Sequence, residues 1–197
     1  MAIEFELKFR AGPQTLEAIS QATLGEGQVW QMETTYYDTP SGALSRRYCT
    51  LRRRMENGRS VCTLKTPAEG MGRNEFEVEA PSVQDALDTL CKLSELKELP
   101  GLLKEGVVPV CGARFTRIAK TVKTEGCTLE LALDQGVLTG GGRERPLCEV
   151  EVELKSGTRQ GAYAYALHLA ATYGLTPEKL SKFRRAQLLA AGGLQDG

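Results

Sequence analysis

The stretch Cys148-Glu149-Val150-Glu151-Val152-Glu153-Leu154 sets three carboxylates at every second position, between valines and a leucine. Successive side chains of a strand point to opposite faces, so this pattern predicts a strand with one acidic face and one apolar face. Three carboxylates aligned on one face repel unless a cation or much water intervenes. The fold therefore turns on whether other strands carry charged faces, and of which sign.

They do. Residues 3–9, IEFELKF, alternate in the same way, with Glu4, Glu6 and Lys8 in phase. Arg52 and Arg54 share a face of LRRRM, Lys65 stands in TLKTP, and Arg73, Glu75, Glu77 and Glu79 are in phase in RNEFEVE. Glu130 and Asp134 are in phase in LELALD. Further strand-like segments are QVWQMETTYYDT and ARFTRIAKTVKT, and the ENG at 56–58 reads as a hairpin turn. Helical patterns cover 12–24, 82–101 capped by Ser82, 158–175, and a last segment opened by Thr176 and Pro177.

An open sheet with a solvated charged face would mix its charges. Here basic strands lie mid-chain and acidic strands toward the end. A sheet that closes on itself, with a polar lumen and helices on its apolar outside, accounts for the separation. The expectation is an α+β protein: an eight-stranded antiparallel β-barrel with helices packed on the outside.

Composition narrows the chemistry. The chain has 197 residues without a linker or repeat, which predicts one domain over residues 1–197. Lysine and arginine number 25, as do aspartate and glutamate, so no global field draws the protein to nucleic acid or a membrane. Acids near the N-terminus do not suit a secretory leader, and no apolar stretch has spanning length, so a cytoplasmic protein is expected. The six cysteines form no C-x-x-C pair, which fits reduced thiols rather than zinc. His168, the single histidine, stands among Leu167, Leu169 and Ala170 and reads as an ordinary helix residue. The GGGR run at 140–143 lacks the lysine and serine of a phosphate loop and reads as a turn. Tyr163, Tyr165 and Tyr173 read as packing a helix against the barrel.

What remains is carboxylates, lysines and arginines. Oxygen ligands from Glu4, Glu6, Glu149 and Glu151 suit Mg2+ or Mn2+. Lys8, Arg52, Arg54, Lys65 and Arg73 suit phosphate oxygens. Both sets on one inner surface describe a site for a metal-bound polyphosphate.

Glu-x-Glu-x-Lys at Glu4 to Lys8, Leu-Arg-x-Arg at Leu51 to Arg54, TLK at Lys65, Arg-x-Glu-x-Glu at Arg73 to Glu77 and the Glu-x-Glu of CEVEVEL together resemble the CYTH superfamily of triphosphate tunnel metalloenzymes. ALDQG and LCEVEVELKSG look nearest to its bacterial inorganic triphosphatases. Longer members of that group add a helical CHAD domain, which this sequence is expected to lack. The resemblance implies an eight-stranded tunnel and metal-dependent hydrolysis of inorganic triphosphate to diphosphate and phosphate. It implies catalytic roles for Glu4, Glu6, Lys8, Arg52, Arg54 and Lys65. Substrate binding would add Arg73, Arg117 and Lys182, and metal would be held by Glu4, Glu6, Asp134, Glu149, Glu151 and Glu153. The partner is then inorganic triphosphate or another triphosphate-bearing small molecule, for a monomer or homodimer. Thiamine or nucleoside triphosphatases, class IV adenylyl cyclases and a non-catalytic polyphosphate-binding module are the rival readings. One position departs from the pattern: the family's second basic residue after the one matching Arg117 is here Ala119, while Lys120 should point outward.

Overall fold

The computed structural model describes residues 5–68 and 73–193. Period-two alternation is realised as strands β1 (Glu6–Arg10), β2 (Gln28–Asp38), β3 (Thr50–Glu56), β4 (Arg59–Pro67), β5 (Arg73–Glu79), β6 (Val108–Thr124), β7 (Cys127–Gly140) and β8 (Arg143–Gly157). A ninth, two-residue strand, β9 (Thr176–Pro177), joins them in a single sheet ordered β5-β4-β3-β2-β6-β7-β8-β1-β9. The ENG turn is a two-residue hairpin: Glu56 pairs with Arg59, and Asn57 and Gly58 have φ of 49° and 89°. Gly140 likewise pairs with Arg143, with Gly141 and Gly142 at 58° and 72°. Positive φ at both central residues gives the turn twist that matches the strands it joins. The GGGR run is thus the turn it was read to be.

The sheet curls until β1 and β5, near its opposite edges, line the same cavity. Among the described residues no ladder joins β5 to β1 or β9, so the tunnel arises from curvature of the sheet rather than from a closed ring of hydrogen bonds.

The outer face carries two apolar cores. Phe9, Leu129, Leu131, Val150 and Val152 pack beneath α1 (Pro13–Ile19) and α5 (Arg159–Tyr173), meeting Leu16, Ile19, Ala162 and Ala166. Tyr165 and Tyr173 join this core, Tyr163 sets its edge on Phe5 with ring centroids 5.2 Å apart, and His168 is exposed. Leu51, Cys62 and Leu64 pack beneath α3 (Val83–Ser94) and α4 (Leu99–Leu102). The Ser82 hydroxyl caps α3 by accepting from the Asp85 N–H, as its sequence position predicts. A short helix that sequence reading missed, α2 (Ala43–Arg46), is tied down by Asp38, whose carboxylate accepts from the N–H groups of Thr39, Leu44 and Ser45.

The last helix corrects two expectations. Thr176 and Pro177 do not open it; they pair with Arg10 and Phe9 as β9, and the Glu178 N–H donates to the Lys8 carbonyl. Helix α6 (Lys182–Ala190) instead starts after Ser181, whose hydroxyl accepts from the Arg184 N–H. Nor does α6 lie outside. Its Ala186 and Leu189 join a third core with Tyr36, Phe115, Leu138 and Leu147, all on the inward strand phase. The inner face is charged at Glu130 and Asp134 and turns apolar at Leu138, and α6 covers that apolar end. Close approach depends on Gly140, where a Cβ would stand 2.6 Å from the Ala186 carbonyl oxygen and 2.9 Å from the Ala190 nitrogen.

Candidate active site

Strand register brings the inward charges into rows that cross β1, β8, β7 and β6. Glu6 is paired with Glu153, and Glu153 with Glu130, so three carboxylates stand side by side. The next row is Lys8, Glu151, Ala132 and Ala119; the one after is Arg10, Glu149, Asp134 and Arg117. Directly opposed like charges are destabilising, so the first row is a place that demands cations. Lys8 stands 3.2 Å from Glu6, and Lys155 2.8 Å from Glu153 and 3.6 Å from Glu130.

The opposing wall, β3 to β5, is basic. The Arg52 Nη2 lies 3.3 Å from Glu75 and 3.8 Å from Glu77, and the Lys65 Nζ 3.2 Å from Glu75. Thr63 donates its hydroxyl to Glu77 at 2.9 Å. Glu75 therefore fixes the two cations rather than leaving them mobile. The Arg73 guanidinium donates to the Tyr48 carbonyl and, at 3.3 Å, to the Thr50 hydroxyl. Arg54 donates from Nε to Glu56 at 2.5 Å. Burial, and next the adjacent Arg52 charge, pull the Arg54 pKa below its ordinary value despite Glu56. A buried cation held against a like neighbour is stabilised by an incoming anion. The Arg52 Nε is also buried without a hydrogen-bond partner among the described residues.

At the floor, α6 feeds two cations into the acidic rows. The Lys182 Nζ lies 2.8 Å from Asp134, 3.2 Å from Glu149 and 2.6 Å from Glu151. Arg117 grips Asp134 with two bonds of 2.7 Å and also donates to Glu151. Arg185 donates to Glu149 and stands 3.6 Å from Glu178. Burial alone would lower the Lys182 pKa, but Asp134, Glu151 and Glu149 hold it above the usual lysine value. Burial likewise opposes the ionised form of Glu151, yet Lys182 and Arg117 hold its carboxyl well below the usual range. Glu149 is pushed up, its burial outweighing Lys182.

A cavity of about 360 Å³ is enclosed by these walls, and Glu6, Lys8, Arg52, Arg54, Lys65, Arg73, Arg117, Glu151, Glu153 and Lys182 all line it. Ten residues scattered from 6 to 182 in the sequence thus face one space. Asp134 and Glu149 lie behind it, their side chains 0% exposed against protein cations. Glu4 lies outside the described residues. Lys120 points outward as predicted, its Nζ 3.5 Å from the Thr23 carbonyl, and Ala119 faces Ala132 without charge. Sequence reading missed Lys155 and Arg185. Lys155 continues the period-two row Glu149, Glu151, Glu153, and Arg185 stands one turn from Lys182, on the same helix face.

The donors lining the cavity are oxygens, of carboxylates and of the hydroxyls of Thr34, Tyr36, Thr50 and Ser181, which fits Mg2+ or Mn2+ and not a soft ion. Among the described residues no three carboxylate, imidazole or thiol groups are gathered closely enough to hold an ion, and Glu6 and Glu153 each face a lysine.

A CYTH domain model matches residues 2–186. The chain belongs to the CYTH family. This CYTH chain is 28% identical to the inorganic triphosphatase of Haemophilus influenzae in an alignment of 197 positions that covers 97% of this chain and 56% of that protein. It thus spans about half the length of the curated relative it matches. A Hippeastrum protein proposed as an adenylyl cyclase and found to have a dominant triphosphatase activity has the same fold, with a TM-score of 0.68 and 20% identity over 98% of both chains. A Bacillus halodurans protein proposed as an adenylate cyclase matches with a TM-score of 0.64 and 18% identity, over 93% of this CYTH chain and 96% of its own. These likenesses establish the tunnel fold. No helix among the described residues is long and apolar enough to cross a membrane.

Proposed function

We propose that this chain hydrolyses inorganic triphosphate to diphosphate and phosphate within the cavity, with a divalent metal. One observation carries the reading: the carboxylate row Glu6, Glu153 and Glu130 and the cations Arg52, Arg54 and Lys65 line the same cavity. Capture of phosphate needs only the cations; the carboxylate row is what a metal-assisted hydrolase adds. The 28% identity to an inorganic triphosphatase points the same way.

Phosphoryl transfer asks the protein mainly for positioning and charge stabilisation. Arg52, Arg54 and Arg73 offer paired N–H donors to phosphate oxygens, while Lys8, Lys65 and Lys182 act as point charges. Their guanidinium and ammonium groups are held by carboxylates, or for Arg73 by the Tyr48 carbonyl and the Thr50 hydroxyl, before substrate arrives, so little reorganisation accompanies binding. Glu6, Glu151 and Glu153, with Glu4, would hold Mg2+ or Mn2+, which when bound neutralises charge on the phosphate oxygens. Asp134 and Glu149 act one step back, positioning Arg117, Lys182 and Arg185.

Phosphate release from inorganic triphosphate, ATP and thiamine triphosphate, with and without Mg2+ or Mn2+, tests this. Metal-dependent turnover favouring inorganic triphosphate is expected. Tight triphosphate binding without turnover of any of the three would overturn it.

A further inference from the structure

Lys155 is the extra residue of a β-bulge. Leu129 pairs with Leu154 and Thr128 with Ser156, so β8 advances by two residues where β7 advances by one. The bulge leaves Lys155 without a pairing partner on β7, and such irregularities are frequent beside active sites. Lys155 keeps the inward phase of Glu149, Glu151 and Glu153, and its ammonium sits in the cavity 2.8 Å from Glu153 and 3.6 Å from Glu130. The rest of the lysine is not locked in: its side chain is 41% exposed, so the ammonium can swing to water.

We propose that Lys155 is a tethered cation that occupies the Glu130–Glu153 carboxylates when no metal is bound and competes with the divalent ion for them. The carboxylate row needs positive charge at all times, because Glu6, Glu153 and Glu130 are direct cross-strand neighbours. Lys8 answers Glu6 and Lys155 answers the other two. A divalent ion entering on Glu153 must displace the ammonium, so Lys155 weakens metal binding and sets the concentration at which the site loads. The inference rests on the proposal that this row holds the metal.

Electron paramagnetic resonance titration of Mn2+ into the full chain without triphosphate reads the competition directly. Lys155→Met should bind Mn2+ about three- to tenfold more tightly, the scale of removing one partly screened charge, whereas Lys155→Arg should bind as the wild type does. Glu153→Gln should lose the site. Equal or weaker binding by Lys155→Met, or a shift in Lys155→Arg as large as in Lys155→Met, would overturn the proposal. Unchanged binding in Glu153→Gln would also overturn it, by putting the ion elsewhere. None of these results depends on turnover, so the triphosphatase reading stands or falls separately on phosphate release.

Discussion

Arg117 holds Asp134 by two parallel hydrogen bonds, Nε to Oδ1 and Nη2 to Oδ2, each 2.7 Å long. With Lys182 also at 2.8 Å, the fully buried Asp134 carboxylate is committed to the protein's own cations. Breaking a buried ion pair from one side leaves the other charge unpaired and costs about 3–5 kcal/mol. Asp134→Asn is therefore expected to lose stability on that scale in urea unfolding while keeping the wild-type affinity for Mn2+. Lost Mn2+ binding at unchanged stability would instead make Asp134 a metal ligand.

The depressed Glu151 carboxyl gives stability a pH signature. Its charged form is favoured in the folded state by Lys182 and Arg117 in spite of burial. That contribution is complete above the ordinary value of 4.5 and fades as pH falls toward the lower folded value. Glu151→Gln should accordingly unfold more easily than wild type near neutral pH, with the gap closing in acid. A gap that stays constant or widens in acid would contradict the ion-pair account of the floor.

On the basic wall, Arg52 faces the cavity with a buried Nε that has no partner among the described residues, and Glu75 holds the other end of its guanidinium. Charge-assisted hydrogen bonds contribute about 1.5–3 kcal/mol each, which corresponds to roughly a 10- to 100-fold loss of affinity. Arg52→Ala should weaken triphosphate binding by that factor in calorimetry, with the melting temperature little changed. Glu75→Gln should weaken binding less, since it only loosens Arg52 and Lys65.

Gly140 links a turn to the site. Any side chain there meets the α6 backbone at Ala186 and Ala190, and overpacking of this kind costs about 1–3 kcal/mol. Gly140→Val should lower the melting temperature and, by lifting α6, withdraw Lys182 from Glu151 and reduce triphosphate affinity. Reduced stability with full affinity would show that Lys182 is seated independently of this contact.

Strand phases were legible because a period of two assigns every side chain a face. Glu6, Lys8, Arg52, Arg54, Lys65, Glu151 and Glu153 could thus be expected on one surface before any fold was known. The position of α6 was not legible: an apolar stripe of Ala186 and Leu189 reads the same whether it covers the outside of a sheet or plugs its concave face. The change of the inner strand face from Asp134 to Leu138 was the available signal. Asp134 and Glu149 could not be separated from Glu151 and Glu153 by spacing, since only the packing of a distant helix buries the first two behind the cavity that the other two line. Lys155 shares the phase of Glu149, Glu151 and Glu153, but a lone lysine at the end of an acidic row reads equally as a solvated strand end. The start of α6 was misplaced because Thr176-Pro177 is a sound helix opening locally, and only the partner strand β1 claims it for the sheet.

Metal on the carboxylates of the cavity and triphosphate on its opposing cations should be visible together in one crystal. Crystals grown with Mn2+ and a non-hydrolysable imidotriphosphate, examined by anomalous scattering at the manganese edge, test it most directly. The account predicts a manganese peak among Glu6, Glu151 and Glu153, with the phosphate chain between that peak and Arg52, Arg54 and Lys65. Manganese bound away from these three carboxylates, or a triphosphate lying outside the cavity, would overturn that arrangement.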